Sequence, residues 1–96
     1  MTRNNKKTVA ISGGFDPIHI GHIRMIRDAA NYGEVVVILN TDEWLKKKKG
    51  YSFMPFIQRK EIIESIKGVK TVVAAEDEDG TVCKSLEHIK PDYFAN

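Results

Sequence analysis

His19 and His22 stand three residues apart, with Gly21 between them and no side chain there to crowd the pair. At that spacing two imidazoles share one face of a first helical turn. They follow Ser12-Gly13-Gly14-Phe15-Asp16-Pro17-Ile18, a glycine-rich passage between an apolar run at 8–11 and a helical pattern carrying Ile23, Met25, Ile26, Ala29 and Ala30. A strand-to-helix turn of this kind collects anions. The first backbone N–H groups of a helix lack intrahelical acceptors, and the helix dipole is positive there. Two imidazoles beside such a terminus can donate hydrogen bonds to phosphate oxygens as charge builds on them. A zinc site is the rival use of the pair, but no third ligand is placed to complete it: Cys83 is distant and His88 belongs to another helix.

Other residues could join this chemistry. Lys46-Lys47-Lys48-Lys49-Gly50 is a cationic run, and a bound phosphate chain needs cations beside it. One or two of these lysines would reach into the site; a solvated basic loop is the alternative. Asp16 is placed either to shape its own turn or to act on a ligand. Asp42 suits a helix cap or a ligand or metal contact, and Arg59 suits a phosphate or an ion pair with Glu43 or Glu61.

The elements that must hold these residues read as alternating strand and helix. Residues 7–12 form a short buried strand, and a helix runs from about 20 to 31 with Gly33 just beyond it. Val35-Val36-Val37-Ile38-Leu39 is a continuous apolar run, as in a strand covered on both faces. Thr41 or Asp42 caps a short helix with Glu43, Trp44 and Leu45, and the lysine run then forms a loop. A helix from Pro55 to Lys67 presents Ile57, Ile62, Ile63 and Ile66; Val69 to Ala75 is the third strand. After the acidic loop at 76–79 come a helix from Thr81 to Lys90 and a fourth strand at Tyr93-Phe94-Ala95. This alternation predicts an α/β, Rossmann-like parallel sheet with helices on both faces, and ligands outside the carboxyl ends of its strands.

The 96 residues fit one domain, with 1–6 as a loose arm. A net charge of +2 is too small to suggest nucleic acid by itself, and no stretch is long enough to span a membrane. Cys83 has no partner for an internal disulfide, which suits a cytoplasmic setting.

Gly14-Phe15-Asp16-Pro17-Ile18-His19-Ile20-Gly21-His22 resembles the signature of the cytidylyltransferase-like nucleotidyltransferases, a His-x-Gly-His in a Gly-x-Phe-Asp-x-x-His loop. Asn40-Thr41-Asp42 is similar to the family's acidic ending of strand two. Lys49-Gly50 with Gln58-Arg59-Lys60-Glu61 is similar to its lysine loop and following helix. Asp79-Gly80-Thr81 and Ile89-Lys90-Pro91-Asp92 resemble the adenylyltransferase half of heptose-nucleotide synthases and the glycerol-3-phosphate cytidylyltransferases.

The resemblance implies transfer of CMP or AMP from CTP or ATP to a small phosphorylated metabolite, a sugar or polyol phosphate. Pyrophosphate leaves, and Mg2+ is held mainly by the phosphates. It implies His19, His22 and Lys49 as catalytic, and Gly14, Phe15, Asp16, Gly21, Asp42, Lys46 and Arg59 as nucleotide-binding. A homodimer is expected. Family members continue past the fourth strand with a turn and a serine/threonine-rich helix start, so the C-terminal part of the usual domain is expected to be missing here. The rival functions are a non-catalytic nucleotide-binding module and an NAD(P)-dependent oxidoreductase, though the loop lacks the Gly-x-Gly-x-x-Gly of the latter.

Overall fold

The computed structural model describes residues 7–75 and 91–95. Strand β1 spans Thr8–Gly13, β2 Glu34–Leu39, β3 Val69–Ala74 and β4 Tyr93–Ala95. They form one parallel sheet in the order β3-β2-β1-β4. The expected α/β, Rossmann-like architecture is therefore present, and strand order reverses between β1 and β4. The crevice beyond the carboxyl ends of β1, β2 and β4 is where such sheets take ligands. The expected arm at 1–6, the acidic loop at 76–79 and the helix at 81–90 lie outside the described residues.

The central strands are the most apolar, for a physical reason. From Val35 to Leu39 every residue of β2 is buried, as a strand flanked on both edges and covered on both faces must be. Val9, Ile11, Phe15, Ile26, Ala29, Val35, Val37, Leu39, Ile63 and Val72 make one continuous core. At the opposite edge of the sheet, Glu34 N–H donates to the Lys7 carbonyl at 2.7 Å. A Cβ on Gly33 would run into that carbonyl, so Gly33 serves this close approach; the first helix, Ile20–Ala29, has already ended at its C-cap Ala30.

Helix α1 spans Ile20–Ala29, α2 Asp42–Lys49 and α3 Phe56–Glu64. None of the described helices is long and apolar enough to cross a membrane.

Two sequence expectations need correcting. The lysine run is not a loop: Lys46 to Lys49 are the last turn of α2. Thr41 caps the start of that helix, its Oγ1 accepting the Trp44 N–H at 3.1 Å, and Gly50 closes it in the left-handed region at φ 86. Acidic Asp42 and Glu43 at its N-terminus and four lysines at its C-terminus both match the helix dipole, which favours continuing the helix through the lysines.

The buried face of α3 also differs. Ile57 and Ile62 are exposed, whereas Arg59 and Ile63 are buried and Phe56 and Ile66 pack on the core. Positions 56, 59, 63 and 66 form a single helical stripe, which leaves 57 and 62 beside it.

Candidate active site

The site is built on the loop that leaves β1. Gly13 ends the strand, and its carbonyl accepts the Asn40 N–H at 3.0 Å, which ties the exit of β1 to the exit of β2. The chain then turns through Phe15 at φ 50, an uncommon conformation for a bulky residue. Burial of the Phe15 ring in the core anchors that turn. The ring meets His22 edge to face, with centroids 4.7 Å apart.

His19 is the N-cap of α1, and here the two histidines take the place of the usual capping side chains. His19 Nδ1 accepts the Gly21 N–H at 3.1 Å, and His22 Nδ1 accepts the His19 N–H at 3.0 Å. The rings stack with centroids 3.9 Å apart. A nitrogen that accepts an N–H carries no proton, so the neutral form of each ring carries its proton on Nε2. Each Nε2–H is thereby turned away from the helix backbone, and neither has a hydrogen-bond partner among the described residues. Burial, and then the charge of neighbouring His19, hold the His22 pKa below its ordinary value. His22 therefore holds its neutral, Nε2-donating form to a lower pH than a free imidazole does.

Gly21 belongs to this arrangement. A Cβ there would lie 2.9 Å from His19 Cε1 and 3.1 Å from its Nδ1, inside contact distance. Only glycine lets the His19 ring lie over the second residue of the helix.

The structure brings the other candidate residues to the same edge, but it uses most of them internally. Asp16 has a side chain only 1% exposed. Its carboxylate accepts the N–H groups of Phe53 at 2.6 Å and Met54 at 2.5 Å. Lys49 Nζ donates to the Asp16 carbonyl at 2.9 Å and lies 3.3 Å from its carboxylate. Burial alone would raise the Asp16 pKa, but the two N–H groups and Lys49 outweigh it and hold the carboxyl below the usual range.

Asp42 caps α3 from a distance. It accepts the Phe56 N–H at 3.1 Å, the Ser52 hydroxyl at 2.9 Å and Arg59 Nη2 at 2.7 Å. Burial again opposes ionisation, and those three donors again prevail. Arg59 pairs with Asp42 and not with Glu43 or Glu61, because it sits on the core face of α3 rather than on its solvent face. Ser52 and the carbonyl of buried Asn40 complete this framework. Asn40 is legible in sequence as a polar residue closing an all-apolar strand and as part of the Asn40-Thr41-Asp42 resemblance; Ser52 carries no such signal.

Lys46 lies exposed on α2, and Lys49 alone among the four lysines reaches the β1 loop. The described residues contain no cluster of three His, Cys, Asp or Glu side chains able to hold a metal ion. Among the described residues, Asp16 and Asp42 on this edge are already matched by donors, so they fit poorly as a resident metal cage.

A family model described as cytidylyltransferase-like matches residues 10–96. The chain belongs to the cytidylyltransferase-like family. Among its curated relatives are the FAD synthases of Ferroglobus placidus and Pyrococcus abyssi. The first is 36% identical over 89 residues, 93% of this chain and 57% of that protein. The second is 34% identical over an alignment 97 residues long, which covers 99% of this chain and 65% of that protein. The bifunctional protein HldE of Aliarcobacter butzleri is 38% identical over 89 residues, which cover 90% of this chain and 18% of that larger protein. A lipopolysaccharide core biosynthesis protein from Thermoplasma volcanium shares the fold with a TM-score of 0.82 at 24% identity, over 94% of this chain and 73% of that one.

The chain thus spans 57% and 65% of the two FAD synthases it matches. The match of the cytidylyltransferase-like model takes in the histidine loop, α2, Arg59 and the strands that carry them.

Proposed function

We propose that this domain transfers a nucleoside monophosphate, AMP in preference to CMP, from its triphosphate to the phosphate of a small metabolite, with release of pyrophosphate. The observation that carries the reading is the pair of outward Nε2–H donors on His19 and His22, locked by their Nδ1 bonds at the start of α1. An oxygen of the acceptor phosphate attacks the α-phosphorus; the bond from that phosphorus to the bridging oxygen breaks, and that oxygen leaves on pyrophosphate. Charge grows on the phosphate oxygens along this path. Donors fixed in place by their Nδ1 bonds stabilise it without having to reorganise.

Lys49 adds a cation from the end of α2, exchanging Asp16 for a phosphate oxygen as triphosphate binds. Mg2+ would be carried by the triphosphate itself, supplying further charge neutralisation, because Asp16 and Asp42 are spent on the fold.

The preference for AMP follows from the relatives. FAD is FMN joined to AMP through a pyrophosphate link, so an FAD synthase of this family moves AMP. FMN therefore joins the sugar and polyol phosphates as a candidate acceptor, and the kinship with HldE keeps sugar phosphates in view. The test is pyrophosphate release from ATP and from CTP in the presence of FMN, sugar phosphates and polyol phosphates in turn. Release from ATP with one acceptor supports the reading. Nucleotide binding without pyrophosphate release from any combination overturns it in favour of a non-catalytic binding module.

A further inference from the structure

Arg59 makes none of the phosphate contacts proposed above, yet it is fully buried. A guanidinium is kept out of water only where its donors are matched. Here they are matched across three separate loops of the ligand edge. Nη1 donates to the Gly14 carbonyl of the β1–α1 loop and to the Asn40 carbonyl after β2, both at 2.8 Å. Nε donates to the Met54 carbonyl between α2 and α3 at 2.9 Å, and Nη2 to Asp42 at 2.7 Å.

We propose that Arg59 is a positioning residue for nucleotidyl transfer: it holds the Gly14–Phe15 peptide so that the Phe15 N–H faces the bound triphosphate. The peptide unit is planar and trans, so its C=O and N–H point in opposite directions. Arg59 draws the Gly14 carbonyl inward, and the Phe15 N–H is turned the other way. That orientation is not a default one. Phe15 sits at φ 50, which a bulky residue keeps only when its surroundings hold it there. Its ring is held by the core and by the edge contact with His22, and its preceding carbonyl by Arg59. One buried side chain therefore sets a backbone donor beside the two histidine donors, and ties both to the segment around Met54.

This inference rests on the reading of the histidine loop as the triphosphate site, and the experiment separates the two. Arg59→Lys keeps the charge, but one ammonium cannot match the planar fork that serves four acceptors. In a folded Arg59→Lys protein, kcat for pyrophosphate release should fall at least ~10-fold, with a smaller rise in KM for ATP, as expected when reacting groups are misplaced. The backbone amide resonance of Phe15 should shift on addition of MgATP to the native protein and should lose that response in Arg59→Lys. A folded Arg59→Lys protein with kcat within about twofold of the native value overturns the proposal. So does a native Phe15 amide that stays still under saturating MgATP while the amides of residues 19–22 move; this measurement needs no variant. If no amide of the loop responds to MgATP, the inference and the proposed function fall together.

Discussion

The backbone N–H of His19 donates to Nδ1 of His22 at 3.0 Å, and the two rings stack 3.9 Å apart. A single contact thus caps the helix, selects the tautomer and sets the donor pair. It also makes a charge on one ring unfavourable to a charge on the other.

Removing His22 should separate chemistry from folding. His22→Ala loses one preorganised donor and should lower turnover by ~100-fold or more. Stability should fall by only about 1 kcal/mol, the usual scale for a lost cap. Thermal melting and steady-state pyrophosphate release on the same preparation check both, and near-native turnover in a folded variant contradicts the assignment.

The lowered pKa of His22 has a signed consequence for stability. The folded protein binds its proton less readily than the unfolded chain, whose His22 titrates near the ordinary imidazole value of 6.5. The stability contributed by neutral His22 is therefore fully present above that value, and it is lost as pH falls through the lower folded pKa. Melting temperatures measured through this window should drop on acidification, and His22→Gln should flatten that part of the profile. An unchanged slope in His22→Gln would show that another group carries it.

Gly21→Ala should preserve the fold and damage the site. Alanine is the better helix former, by about 1 kcal/mol. Its methyl group would nevertheless lie 2.9 Å from the His19 ring and force that ring off the Gly21 N–H. The expected result is a melting temperature near the native one with turnover reduced at least ~10-fold, on the scale of a misdirected donor. Undiminished turnover would mean that the His19 ring position is not critical.

The lysines should be unequal. Lys49→Ala should weaken triphosphate binding more than Lys47→Ala, because only Lys49 reaches the β1 loop. Calorimetric titration with MgATP reads this directly. Equal and small effects at all four lysines would reduce the helix end to a solvated cationic surface.

What the sequence determined by itself was local. Apolar runs of strand length alternating with helical patterns specify a parallel sheet, since such runs need cover on both faces. Two histidines flanking a glycine at a strand-to-helix turn mark the site, because a helix start gathers its first donors within a few residues. The C-terminal turn of α2 is not legible from pattern, because a lysine run carries no periodicity of its own; the complementary dipole and the Gly50 cap are the signals available for it.

Only the tertiary structure decided what the other charged residues do. Asp16 meets partners 37 and 38 residues away in Phe53 and Met54, Asp42 meets Arg59 across 17 residues, and Arg59 reaches Gly14 across 45. An aspartate or arginine at a ligand edge reads the same in sequence whether it faces a phosphate or a backbone amide. The choice rests on which loops the sheet order brings together, and on whether a buried charge finds enough donors or acceptors to offset leaving water. The sheet sets the exits of β1 and β2 side by side beneath α3, and there Arg59 finds carbonyls from both.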